Sequence, residues 1–413
     1  MKKIILSVAA VMTMVSVSSA GDDFGASLKA GKFSVDARLF YFNRDFDSGS
    51  SLEALTAGGI LKYVSGDFKG FKVGTALYSS NLVGDTTNRD RGIGSALLQK
   101  NPYNTSSYGD NINFVGEAFL QYNFKKNMIK IGRQQLSTPI FNSNDVRDVP
   151  TSYEAVILRS KCVANTMIEA GYVVSQTGFG SSYGDFEKVE NKWGDNGLAY
   201  LYVTNNSIKE LKVRAQYVKA LSDDFEVGGV TSDILVTDYK YADIKYSLPF
   251  GSKTFVSAQF LGNDYNNQDD SMVVGAKAGT SFGIVNVAAV YNQVFDNAYK
   301  KIASSSMYTD WQQGYNNFGP SHAYGVIVSA KPMKDLKVMA RFVDITGDDY
   351  SSDAGANSNK ENLKDNFSET NFDATYAFND WSSLRLRYSI KDQDSKSTLV
   401  DRNDFRAIYR IQF

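Results

Sequence analysis

Apolar and polar residues alternate along most of this chain. In the last stretch, Asn403–Phe413, an extended strand puts Phe405, Ala407, Tyr409, Ile411 and Phe413 on one face. Arg406, Arg410 and Gln412 fall on the other, with Ile408 the exception. One fully apolar face opposite two arginines fits a wall with lipid outside and water inside better than a sandwich strand. The same period of two recurs earlier. Phe33, Val35, Ala37, Leu39 and Tyr41 oppose Ser34, Asp36 and Arg38, and Gly116, Ala118, Leu120 and Tyr122 oppose Glu117, Gln121 and Asn123. Leu211, Val213, Ala215 and Tyr217 oppose Lys212, Arg214 and Gln216, and Leu384, Leu386, Tyr388 and Ile390 oppose Arg385, Arg387 and Ser389. Leu198–Val203 and Ile284–Tyr291 are apolar on both faces. The pattern predicts about eighteen strands of about ten residues, the length a tilted strand needs to cross a bilayer.

Two kinds of connection separate these segments. Short turns are expected at Lys125-Lys126-Asn127, Val163-Ala164-Asn165, Asn205-Asn206, Pro249-Phe250-Gly251, Lys331-Pro332-Met333 and Asn379-Asp380. Long polar loops are expected at Ser80–Asn111, Ser175–Asp195, Phe295–Ser321 and Thr346–Ser368. The predicted fold is therefore all-β: a transmembrane antiparallel β-barrel with short periplasmic turns and long extracellular loops. A secreted solenoid or sandwich would explain the alternation. It would not explain aromatic residues at strand ends, namely Tyr41, Tyr63, Tyr122, Phe124, Tyr246, Tyr388 and Phe413, which suit the two lipid–water interfaces.

Composition changes this picture little. A mean hydropathy of −0.30 is compatible with a barrel, where only alternate residues meet lipid. A net charge of −1 over 413 residues argues against a nucleic-acid partner. Lys2 and Lys3, the apolar Ile4–Val17 and the small residues Ser18-Ser19-Ala20 read as a secretory leader over residues 1–20, leaving one barrel domain over 21–413. The single Cys162 cannot form an intrachain disulfide.

Charge is segregated more than its total suggests. Arg38, Lys62, Lys72, Lys130, Lys212, Arg214, Lys337, Arg341, Arg385, Arg387, Arg406 and Arg410 lie on polar strand faces, whereas acids crowd loops such as Asp223-Asp224 and Asp348-Asp349. Of these, Arg38, Lys212, Arg214, Arg341, Arg385, Arg387, Arg406 and Arg410 form a candidate basic ladder along a lumen. Cations in a low-dielectric wall focus a positive potential, and arginine forks suit carboxylates. Arg385, Arg387, Arg406 and Arg410 should form one patch on neighbouring strands.

One connection stands apart. Gly132-Arg133-Gln134 follows the fifth predicted strand and leads through Thr138-Pro139 to Asn144-Asp145-Val146-Arg147-Asp148-Val149-Pro150 and then Glu154. Both prolines resist continued ladder pairing. Here the chain resembles the OprD family of outer-membrane porins, which carries a Gly-Arg-Gln…Thr-Pro…Asn-Asp-x-Arg…Pro run. The matching positions are Gly132, Arg133, Gln134, Thr138, Pro139, Asn144, Asp145, Arg147 and Pro150. Asp148 and Ala155 depart from the family pattern.

The resemblance implies an 18-stranded barrel in the Gram-negative outer membrane. Its third loop, residues 137–152, would narrow the pore, with Asn144, Asp145, Arg147, Asp148 and Glu154 along the solute pathway. The expected function is passive diffusion of small hydrophilic solutes, with carboxylate-bearing amino acids or organic acids preferred. A general ion-permeable pore is the alternative, followed by a barrel enzyme or a surface adhesin. Tyr409, Ile411 and Phe413 resemble the terminal signal read by the barrel assembly machinery. Lipid and lipopolysaccharide are the other expected partners, as monomer or trimer. No cofactor is expected. His322 is the only histidine, so a two-histidine metal site is impossible, and a serine–histidine esterase would have to use that residue.

Overall fold

The computed structural model describes residues 22–47, 51–84, 99–100, 108–143, 147–178, 186–188, 196–222, 224–227, 230–233, 236–250, 253–266, 268–302, 306–310, 312, 320–347, 366–393 and 401–413. The expected leader lies outside them. A short helix, α1 (Asp22–Lys29), precedes the wall. It rests on the turn after the second strand: the Gly66 amide donates to the Ser27 carbonyl at 2.8 Å, and Phe24 meets Phe68 edge-on at 5.4 Å.

Eighteen long strands build the wall. They are β1 (Lys32–Phe46), β2 (Ser51–Val64), β3 (Phe71–Leu82), β4 (Ile112–Phe124), β5 (Asn127–Gln134) and β6 (Ser152–Ser160). β7 (Thr166–Thr177), β8 (Leu198–Asn205), β9 (Leu211–Ala220), β10 (Val236–Ser247), β11 (Phe255–Tyr265) and β12 (Ser271–Phe282) follow. The last six are β13 (Val285–Asp296), β14 (Ser321–Met333), β15 (Leu336–Gly347), β16 (Phe367–Ala377), β17 (Ser382–Gln393) and β18 (Arg402–Gln412). Each pairs antiparallel with its chain neighbour, and β18 closes the barrel on β1 with Arg406 opposite Phe42 and Arg410 opposite Arg38. At the seam Phe413 exchanges backbone hydrogen bonds with Val35, at 2.7 and 3.1 Å. Closure removes every open edge, which a sheet in hydrocarbon requires.

The alternation sorts as a barrel needs. Leu39, Leu61, Ile131, Leu158 and Val326 are exposed on the outer face, while Phe40, Phe42, Tyr153 and Leu261 are fully buried inside. Aromatic pairs ring the short-turn end: Phe33 with Tyr63, Phe71 stacked on Tyr122, Phe378 with Tyr376 and Tyr409.

Two departures from the sequence reading have backbone causes. Gly116 does not share the outer face with Ala118; it is the extra residue of a bulge, because Ala76 pairs with Glu117 while Leu77 pairs with Val115. A Cβ there would stand 2.3 Å from the Tyr78 ring. The turn expected at Lys331-Pro332-Met333 lies instead after Met333, at Lys334-Asp335. A register shift between Ala330 and Met333 accommodates Pro332, which has no amide proton for the ladder.

Candidate functional site

The Gly-Arg-Gln motif at the end of β5 peels the third loop, L3 (135–151), off the wall. Gly132 sits at φ 115°, a conformation open to glycine, and a Cβ would meet the Ala118 carbonyl oxygen at 2.3 Å. The Gln134 amide donates to the Ala155 carbonyl at 2.9 Å inside the barrel. Arg133 points the other way, in register with outward Ile131. It pairs with Glu154 at 2.8 Å beneath the Phe186 ring, 3.9 Å from the guanidinium. Glu154 also accepts from Ser175 at 2.7 Å. Glu154 is therefore outside the pathway expected for it: between the inward Tyr153 and Ala155 a strand residue must face out. Gly132→Ala should destabilise the barrel by about 1–3 kcal/mol, the range for a strained backbone position, read as a lower unfolding midpoint in urea.

Freed from the wall, L3 crosses the lumen. At its first contact Ile140 N donates to Gln216 of β9 at 2.9 Å, and Gln216 donates to Thr138 at 2.9 Å. Phe141 packs against Tyr153 at 5.7 Å and Tyr200 at 5.2 Å. At the far end the Arg38 guanidinium donates to the Arg147 carbonyl at 2.7 Å. The Asp148 carboxylate accepts from Ser80 at 2.6 Å and from Thr56. Asn144 and Asp145 lie outside the described residues. Phe141→Ala removes a fully buried ring, a change that typically loses about 3–5 kcal/mol of packing. Noisier single-channel current and faster proteolysis of L3 are its expected signature.

A second loop, expected from its polar composition among the external loops, also enters the barrel. Between β13 and β14, Lys300 N donates to Asn263 at 2.7 Å, Tyr308 N to Gln259 at 2.9 Å and Thr309 N to Asn292 at 3.1 Å. Gln312 reaches Ser389 of β17 at 3.3 Å, and Ser306 donates to the Pro139 carbonyl of L3. Tyr299, Ile302 and Met307 are buried in one cluster with Leu136, Ile140 and Phe141. Those apolar residues in a loop were the available signal. The same packing explains why β8 is apolar on both faces: Leu198, Tyr200 and Tyr202 face inward onto this cluster.

The basic wall faces the remaining space. Six of its arginines share three aspartates. Asp36 contacts Arg38 at 2.9 Å and Arg410 at 2.5 Å; Asp373 contacts Arg385 at 2.6 Å and Arg387 at 3.1 Å; Asp404 contacts Arg44 at 2.5 Å and Arg406 at 3.0 Å. Among the described residues these pairs set six arginines against three aspartates, and Arg341 of β15 lies near the buried Glu369 as well. Arg406 stands directly opposite Arg387, and Arg410 opposite Arg38, pairings that like charges destabilise. Phe42 supports the cluster, with Arg406, Arg44 and Arg147 within 5.1, 5.5 and 5.8 Å of its ring. Toward the short-turn end, Arg38, Arg385, Arg410 and Lys337 line a cavity of about 480 Å³.

Of the expected ladder, Arg38, Arg341, Arg385, Arg387, Arg406 and Arg410 come together on β15–β18 and β1. Lys212 and Arg214 also face the lumen, but on β9, half-way round the wall, where Arg214 pairs with Asp243 at 2.7 Å. Sequence reasoning missed Arg44, Lys245 and Lys277 as lumen residues. His322 stands on the outward side of β14, between the inward Ser321 and Ala323.

A family model described as outer membrane porin, OprD family, matches residues 27–412. No curated protein matched the chain by sequence. Solved structures match over nearly the whole length. Acinetobacter baumannii OccAB3 is 16% identical, with a TM-score of 0.77 over 93% of this chain and 99% of that one. Pseudomonas aeruginosa OccK9 (OpdG) is 16% identical, with a TM-score of 0.76 over 94% and 99%. Pseudomonas aeruginosa OpdK, crystallised with vanillate, is 15% identical, with a TM-score of 0.76 over 94% and 99%.

Proposed function

The chain belongs to the OprD family of outer membrane porins, and from that premise we propose that its pore favours small solutes carrying a carboxylate. The family and the matched structures are channels for small solutes, not enzymes. The observation that carries the carboxylate preference is the gathering of six arginine forks around three aspartates beside L3, counted among the described residues. Guanidinium forks bind carboxylate oxygens two at a time, and several in sequence pass an anion from one fork to the next without a deep trap. The vanillate bound in the OpdK crystals is itself a carboxylate, which agrees with this reading.

In this account Arg147 forms the L3 side of the narrow passage, with Asp148 holding that loop in place. Arg341, Arg385, Arg387, Arg406, Arg410 and Arg38 form the wall side, which Arg147 meets over the Phe42 ring. Tyr409, Ile411 and Phe413 serve as the assembly signal on the outer face of the last strand at the seam, with Phe413 the exposed one. Liposome swelling tests the preference. Refolded barrels should admit benzoate faster than benzyl alcohol or benzylamine, which share its ring. Equal rates for the three would reduce the protein to a general pore.

A further inference from the structure

A second cationic feature lies across the lumen from the arginines. Lys212 on β9 stands directly opposite Lys245 on β10, Lys245 opposite Ser257 on β11, and Ser257 opposite Lys277 on β12. Three lysines and one serine thus occupy a single row over four adjacent strands. They face the lumen, since Gln216, two rows above Lys212, bonds L3. The row lies near the short-turn end, because Lys212 is the second residue of β9 and Lys245 is two from the end of β10. Among the described residues, none of the three lysines makes an ion pair. Their contacts are with rings, Lys245 4.2 Å from Phe255 and Lys277 5.8 Å from Tyr308. The nearest acid in the ladder, Asp243, is engaged by Arg214 one row away. Tyr308 descends from the inward loop beside Ser257, its hydroxyl buried without a hydrogen bond of good geometry.

Like charges directly opposed on neighbouring strands destabilise a sheet, and among the described residues no acid pairs with these lysines. From this row we infer that Lys212, Lys245 and Lys277, with the Ser257 and Tyr308 hydroxyls, form a binding site for phosphate-bearing solutes. Ammonium groups on flexible stems act as point charges that can gather around a tetrahedral dianion. Planar guanidinium forks match a carboxylate instead. Three cations oppose the charge of about −2 on a phosphate monoester near neutral pH. A solute carrying both groups would hold its carboxylate on the arginine wall and its phosphate here. The inference rests on the porin assignment but not on the carboxylate preference.

The test is block of single-channel current by phenyl phosphate and by benzoate, two anions with one ring, in wild type and in Lys212→Gln/Lys245→Gln/Lys277→Gln. The expected result is phenyl phosphate block weakened about tenfold or more in the variant, with benzoate block changed less than about twofold. Arginine at all three positions should restore only part of the loss, because the charge returns without the ammonium geometry. Lys245→Gln alone, at an exposed side chain, should show a smaller loss of the same sign if the triple variant folds poorly. Absence of phenyl phosphate block in wild type would overturn the inference. So would an unchanged block in the variants, or an equal loss for both anions. Failure of the carboxylate preference would show separately, as absence of benzoate block in wild type.

Discussion

Replacing Arg385 and Arg387 together by glutamine is expected to weaken block by benzoate about ten- to a hundredfold. The range follows from losing one or two charge-assisted hydrogen bonds of about 1.5–3 kcal/mol each. Both residues share the Asp373 carboxylate, at 2.6 and 3.1 Å, so neither is fully neutralised. Glutamine keeps a donor for Asp373 and removes only the charge, which separates the electrostatic role from barrel folding. Heat-dependent mobility on a gel should therefore match wild type. Normal folding with undiminished benzoate block would make the ladder a structural feature. Glutamate at both positions should act more strongly, because it would place three carboxylates beside Arg341.

The second large effect concerns pH. Asp148 lies fully buried in L3, where desolvation pushes its carboxyl up to about 6 from the usual 3.8, against the pull of Ser80, Thr56 and Arg38. Asp36 faces it as well and adds to the rise. A raised value means that the folded protein favours the neutral acid. That contribution to stability is complete below 3.8 and is lost as pH rises through about 6. For the pore, acidification from about pH 7.5 to about pH 5 removes one negative charge beside Arg38 and Arg147. Anion preference, read as reversal potential under a salt gradient, should therefore increase over that interval. Asp148→Asn should hold the acid-form value throughout, since an amide still accepts from Thr56 and Ser80. A pH response in Asp148→Asn as large as that of wild type would assign the titration to another group.

Much of the fold was legible because the bilayer imposes a single rule on every strand. Phe405, Ala407, Tyr409 and Ile411 could be assigned outward because lipid tolerates nothing else there. Ile408 broke the pattern because it packs inside with Phe40, Phe42 and Ala54, between Arg406 and Arg410 and opposite Arg385. Inward-facing apolar residues of this kind mark where something covers the wall. The both-faces-apolar β8 and β13 carried that message, yet alternation alone does not say that loops supply the cover. Glu154 was misplaced because its rank in a motif says nothing of strand parity once L3 has left the wall. The arginine patch was legible from adjacency in sequence. The lysine row was not, since Lys212, Lys245 and Lys277 meet only through the register of four strands.

The most direct test of the account is the reversal potential of the refolded wild-type barrel in a planar bilayer under a potassium chloride gradient, repeated with benzoate added. An anion-preferring potential with benzoate-dependent interruption of the current is the predicted result, with the clustered arginines of the wall as its source. A cation-preferring potential, or an anion-preferring one that benzoate leaves untouched, would contradict it.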